Sequence, residues 1–195
     1  MDAITLGILA GGRGARLGGV DKAALEFRGR RLLERTRDAF CLPQHAAVRD
    51  ATDTPLLSRA GGGVSAGAEP GFQHVPDLRS GCLGPLAGLE ALLNAARTAW
   101  LLTAPVDLRD VPTDLAPCLC ARAAGGIACV VRDADGLQPL VALWPVQGSL
   151  RAVRTALDAG RLSMRELLAV LPHAELDIRP LRLGNLNLPG DFCDP

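Results

Sequence analysis

The order of apolar and amphipathic stretches predicts an α/β sandwich built on a mostly parallel sheet. Three observations carry this: short buried-type runs alternate with helix-spaced segments, the first run breaks into a glycine-rich turn, and acidic or amide residues follow several later runs. Ligands in such sheets sit at the carboxyl ends of the strands. The residues with chemical potential are expected to converge there.

The elements can be read in order. Ile4 to Leu9 has the length and β-branched content of a buried strand. Leu32 to Phe40 places Leu32, Leu33, Ala39 and Phe40 on one helical face. A weak strand is expected near His45–Val48, and the glycine-dense stretch from Arg59 to Gly71 reads as loop. Phe72 to Val75 is a short strand before Pro76-Asp77. Pro85 suits the first turn of a helix whose Leu86, Leu89, Leu92, Leu93 and Ala96 keep helical spacing. Trp100 to Thr103 is another buried strand and leads to Val106-Asp107.

A helix near Asp114–Ala124 then precedes a strand at Ile127–Arg132, and Leu140–Trp144 forms a further strand. Gln147 to Ala159 is helical and is stopped by Gly160. Ser163 and Glu166 have capping-box spacing and open a last helix to Leu171. Leu181 to Asp194 reads as a short strand and a turn. No repeat or linker divides the chain, so residues 1–195 are expected to form one domain.

The turn after the first strand concentrates the chemistry. Gly11, Gly12, Gly14, Gly18 and Gly19 fall within nine residues and are interspersed with Arg13 and Arg16, before Lys22. Glycines let backbone N–H groups converge on an anion, and the cations match the charge of a triphosphate. The turn is not a P-loop, because Ala23 rather than a hydroxyl residue follows Lys22. Nor is it a dinucleotide fingerprint, whose third glycine is replaced by Leu17. Asp107 is the candidate carboxylate for magnesium, which prefers oxygen ligands and takes one or two carboxylates from protein. A helix cap or a turn is the alternative role for Asp107. Asp77, Asn185 and Asn187 also admit turn roles, and Gly84–Gly88 could be a closely packed helix start.

Composition excludes other classes. Lysine plus arginine and aspartate plus glutamate number 21 each, which argues against a nucleic-acid binder. Aromatic residues are 3%, too few for a stacking platform on single strands. No run approaches the length of a membrane span, and the opening residues lack a signal-peptide pattern. The six cysteines are scattered and Cys118-x-Cys120 lacks zinc-ligand spacing, so they read as reduced thiols in the cytoplasm. The three histidines are far apart, and no Ser–His or Cys–His arrangement is visible. Electrostatic rather than proton-transfer catalysis is expected, with Arg16 and Lys22 neutralising a departing pyrophosphate.

The pattern Leu-Ala-Gly-Gly-x-x-x-Arg-hydrophobic-Gly-x-x-Asp-Lys over Leu9–Lys22 resembles the signature loop of the molybdenum cofactor guanylyltransferases, the MobA type. Gly84-Pro-Leu-Ala-Gly88, Val106-Asp107, Asp135-Gly-Leu-Gln-Pro-Leu-Val-Ala-Leu143 and Asn185-Leu-Asn-Leu-Pro-Gly-Asp191 resemble its later blocks in order. The resemblance implies a three-layer α/β/α sandwich with a Rossmann-like sheet, of the nucleotide-diphospho-sugar transferase type. It implies nucleotide binding by Leu9, Ala10, Gly11, Gly12, Lys22, Asp77 and Asp107, with Mg2+ on Asp107. Gly84, Pro85, Asn185 and Asn187 become acceptor-binding residues. The implied activity is transfer of GMP from GTP to molybdopterin or molybdenum cofactor, with molybdoenzyme-maturation proteins as partners. Arg109 stands where a proline is common, Leu188 and Gly190 replace Thr and Glu, and a base-reading asparagine has no clear counterpart near Arg49-Asp50. These departures leave open a related enzyme using CTP or a sugar phosphate, or a nucleotide-binding module without turnover.

Overall fold

The computed structural model describes residues 3–11, 21–40, 54–59, 69–81, 83–123 and 125–192. Its centre is β1 (Ile4–Leu9), buried at every position. Parallel neighbours flank β1: β4 (Leu56–Ser58) on one side and β6 (Trp100–Pro105) on the other. Beyond β4 lies β5 (Gln73–Val75), also parallel. Beyond β6 come β8 (Gly136–Pro145), β7 (Ala128–Asp133) and β9 (His173–Asp177), giving the order β5-β4-β1-β6-β8-β7-β9. β8 is antiparallel to both neighbours, while β9 is parallel to β7. The sheet is therefore parallel except at β8.

The pleat of β1 sorts its side chains between two layers. Ile4, Leu6 and Ile8 enter one core with Leu32, Leu33 and Phe40 of α1 (Leu32–Phe40) and Leu115 and Leu119 of α3 (Leu115–Arg122). The opposite core holds Leu86, Leu89, Leu92 and Leu93 of α2 (Pro85–Ala95), Val153 and Leu157 of α4 (Val146–Asp158), and Leu167 and Leu168 of α5 (Met164–Val170). Helices thus cover both faces, and each buried leucine contributes roughly 1.5–3 kcal/mol. Gly7 lets α2 approach β1: a Cβ there would lie 3.0 Å from Leu92 Cδ1 and 3.0 Å from Leu101 Cδ1.

Several boundaries obey the local signals. Pro85 begins α2, Ser163 Oγ accepts from the Glu166 amide at 3.5 Å, and Gly160 adopts φ +69° just after α4. Other expectations are corrected. β4 is too short to show a period, and β9 alternates too little in hydrophobicity to be recognised. Leu181–Asp194 was expected to form a short strand and a turn; its described part makes an isolated bridge, Asn185 with Leu108, in place of a strand, and a 3-10 turn at Pro189–Phe192. Asn185 therefore does not follow a final strand: β9 ends eight residues earlier. β8 begins at Gly136 rather than Leu140 because it forms a hairpin with β7. A second small sheet pairs β2 (Glu26–Phe27) with β3 (Arg30–Arg31). Arg28 and Gly29 make its turn at φ 52° and 71°, the positive pair that a tight hairpin requires. The strand expected at His45–Val48 lies outside the described residues.

Candidate active site

The chain order reverses between β1 and β6, leaving a crevice beyond their carboxyl ends. Leu9 pairs with Pro105 in register, and the Val106 amide continues the ladder to the Leu9 carbonyl at 3.0 Å. On the other side, the Ala10 amide donates to the Ser58 carbonyl at 2.9 Å. Leu9 and Ala10 are consequently fixed at one edge by backbone pairing, with Gly11 following Ala10 and Asp107 following Val106. Asp77 follows β5 at the same edge. Arg79 holds that segment by donating to Glu90 of α2 at 2.8 Å and to Asp158 at 2.7 Å. Gly84 precedes Pro85 with φ 71° and ψ −163°, a backbone shape reserved for glycine.

Lys22 opens a 3-10 turn, Lys22–Ala24, whose preceding Asp21 accepts from the Ala23 amide at 3.0 Å. That cap aims the lysine across the crevice. Its Nζ lies 2.6 Å from Asp107 Oδ2 and donates to Asn187 Oδ1 at 2.8 Å. The Lys22 and Asp107 side chains are 14% and 16% exposed, so the charge pair is partly screened from water yet reachable. An ammonium has three donors. Two are used within this trio, and the third can address a phosphate oxygen.

Asn187 arrives by a separate route. The Leu186 amide donates to the Asp107 carbonyl at 2.8 Å, and Arg109 and Asp110 donate to the carbonyls of Gly184 and Leu183. The segment is pinned upstream by buried Asp133, which accepts from the Leu183 amide at 3.0 Å. Downstream, Asp191 Oδ2 accepts from the amides of Asn187 and Leu188, both at 2.8 Å. The Leu188 amide, and then that of Asn187, hold the Asp191 carboxyl below its ordinary value.

A further network supports Lys22 from behind. Arg59, directly after β4 and 9% exposed, lies 3.2 Å from Asp21 and 2.9 Å from Glu69. Arg31 also reaches Glu69 at 2.9 Å. Burial raises the Glu69 carboxyl, but hydrogen bonds from Arg31 and Arg59 outweigh it and leave the value lowered. Arg59 and Glu69 were not singled out from sequence. The available signal was a cation immediately following the apolar pair Leu56-Leu57.

Lys22, Asp107 and Asn187 therefore meet, while Asn185 is exposed next to them in sequence and bridges Leu108. Gly12 and Arg16 lie outside the described residues. For a divalent cation, the donors present are the Asp107 carboxylate and the Asn187 amide oxygen, and a lysine ammonium already sits between them. Hard oxygens around a positive charge fit magnesium, which completes its shell with water and phosphate. Among the described residues no group of three or more His, Cys, Asp or Glu could hold a metal by itself.

A parallel sheet whose reversal point gathers glycine backbone, an ammonium and a carboxylate defines a phosphate-handling α/β protein of the nucleotidyltransferase class. The model of the MobA-like NTP transferase domain matches residues 6–176, and the chain belongs to that family. A molybdenum cofactor guanylyltransferase of Pseudomonas syringae pv. tomato is 34% identical over 185 residues, covering 93% of this chain and 88% of its own. One of Yersinia pseudotuberculosis is 31% identical over 192 residues, covering 98% and 93%. The crystal structure of molybdopterin-guanine dinucleotide biosynthesis protein A from Archaeoglobus fulgidus superposes with TM-score 0.72 at 19% identity, covering 96% of this chain and 94% of that one. The 2-C-methyl-D-erythritol 4-phosphate cytidylyltransferase of Thermus thermophilus gives 0.66 at 18%, covering 95% and 94%. These two structures establish the shared fold.

Proposed function

We propose that the protein, acting as one domain over residues 1–195, transfers GMP from GTP to the terminal phosphate of molybdopterin or its molybdenum form. The observation that carries this reading is the contact of Lys22 with Asp107 and Asn187 at the edge where a nucleotide lies in such sheets. An acceptor phosphate oxygen attacks the α-phosphorus of GTP. The new P–O bond forms as the α–β bridging P–O bond breaks, and its electron pair leaves with pyrophosphate. The attacking oxygen is already anionic, so no general base is required.

Leu9, Ala10, Gly11 and Gly12 offer backbone to guanine and phosphates, and Asp77 contacts the nucleotide. Lys22, assisted by Arg16, neutralises the charge that grows on the leaving group, an interaction strongest in the transition state. Asp107 would hold Mg2+, which supplies charge neutralisation between phosphate oxygens. Gly84, Pro85, Asn185 and Asn187 receive the acceptor. No described helix is long and apolar enough to cross a membrane. The reading places the enzyme in the cytoplasm, supplying molybdoenzyme-maturation proteins.

The test is pyrophosphate release with each of the four nucleoside triphosphates, magnesium and molybdopterin. GTP alone should support turnover. Turnover with CTP in place of GTP rejects the guanylyl assignment, and tight GTP binding without pyrophosphate under any acceptor leaves a binding module.

A further inference from the structure

A second cluster of cations lies away from Lys22. Arg28, Arg35 and Arg109 all face the buried ring of Phe27, with guanidinium carbons 4.9, 4.8 and 5.7 Å from its centroid. Three like charges thus share one aromatic support. Arg35 donates through Nη2 to the Arg109 carbonyl at 2.9 Å, while its buried Nε has no hydrogen-bond partner among the described residues. Burial, and after it the nearby Arg28, lowers the Arg35 guanidinium from its ordinary value, with Asp110 opposing.

Arg35 and Arg109 border a groove of about 600 Å³ between α1 and the segment 108–113. Arg30, Arg35, Arg109 and Arg182 line it; Asp38 pairs with Arg30, Asp110 lies 3.8 Å from Arg109, and Asp135, outside the lining, pairs with Arg182, while Arg35 donates to a backbone carbonyl. Its other wall is apolar, formed by Leu108, Val111, Pro112 and the exposed Leu181. Thr36 and Thr113 are also present. Lys22, Asp107 and Asn187 do not line it.

We propose that this groove is a second binding site, taking a small organic phosphomonoester. The arginines meet its phosphate, for which the planar guanidinium fork is suited. Leu108, Val111, Pro112 and Leu181 cover its apolar body. The volume falls within the range of small-molecule sites. The four arginines meet three carboxylates, an excess that a phosphate anion relieves, and the apolar wall distinguishes a phosphomonoester from a free phosphate ion. The groove lies beside the crevice segment: Arg109, two residues from Asp107, accepts from Arg35 at its carbonyl and donates from its amide to the Gly184 carbonyl.

Calorimetric titration of the whole chain at low salt, with phenyl phosphate and separately with inorganic phosphate, tests this. Phenyl phosphate should bind at one site about tenfold more tightly than inorganic phosphate. The double variants Arg35→Gln/Arg109→Gln and Arg30→Gln/Arg182→Gln should each weaken binding by about tenfold or more. The second pair is exposed and keeps the readout independent of core folding. Lys22→Ala should bind phenyl phosphate like the parent, which separates this site from nucleotide transfer. Undiminished binding in Arg30→Gln/Arg182→Gln, loss of binding in Lys22→Ala, or equal affinity for the two ligands overturns the assignment.

Discussion

Lys22 and Asp107 stand 85 residues apart in the chain and 2.6 Å apart in space. The turn after β1 and the turn after β6 each supply one charge, and parallel pairing of the two strands sets the distance. Neither strand alone could place them. The contact depends directly on backbone register, because a one-residue slip of β6 would turn Asp107 away.

Replacing Asp107 by alanine should abolish magnesium-dependent turnover and leave the fold intact. The expected fall in kcat is about 10²–10³-fold, the scale for removing a preorganised electrostatic group. Pyrophosphate release, set beside the circular-dichroism melting curve, checks both halves. Unchanged activity removes Asp107 from the mechanism.

Lys22→Ala should act mainly on the triphosphate. KM for GTP rises and kcat falls, giving about a 10²-fold loss in kcat/KM. Steady-state kinetics across GTP concentrations reads the split. A normal KM and kcat would show that the ammonium serves Asp107 and Asn187 only structurally.

The closing turn carries its own pH dependence. Asp191 has a depressed folded value, so its contribution is present above the unfolded value near ~4 and is lost as pH falls through the folded one. At neutral pH the turn is therefore fully held, and acid releases it. Asp191→Asn should speed exchange of the Asn187 and Leu188 amides by about tenfold at neutral pH. Amide exchange followed by NMR between pH 3 and pH 7, about the range of an aspartate titration, measures this; identical protection in parent and variant would contradict it.

Two stability predictions concern the scaffold. Trp144 is fully buried and donates from Nε1 to Thr103 Oγ1 at 2.8 Å, between β8 and β6. Thr103→Val leaves that donor unpaired and should cost about 1–3 kcal/mol in denaturant unfolding. At Gly84 a Cβ meets nothing within 4 Å, so Gly84→Ala is penalised by backbone conformation alone, again by about 1–3 kcal/mol. A variant as stable as the parent would refute either account.

Much of this was legible in the residues. The glycine turn, Lys22 and Asp107 lie at sharp composition breaks, where an apolar run ends and a charged group begins. α1 spans Leu32–Phe40 as its spacing predicts, because a helical face repeats over several turns. β4 and β9 were not legible: three residues carry no measurable period, and the half-buried edge strand His173–Asp177 mixes polar and apolar residues. Asn187 looked as much like a turn residue as a ligand. Its role follows from the pairing of residues 183–186 with 107–110, a long-range register that no local pattern encodes. Arg59 was missed for the same reason, since its partners Asp21 and Glu69 come from different loops.

The isolated bridge between Leu108 and Asn185 has a consequence for synthesis. Asn187 lies 165 residues after Lys22, so all seven strands of the central sheet are translated while the amide that completes the crevice is still untranslated. Completion of the crevice is thereby tied to the synthesis of residue 187: a ribosome stalled before it carries a sheet whose lysine can meet its aspartate but not its asparagine.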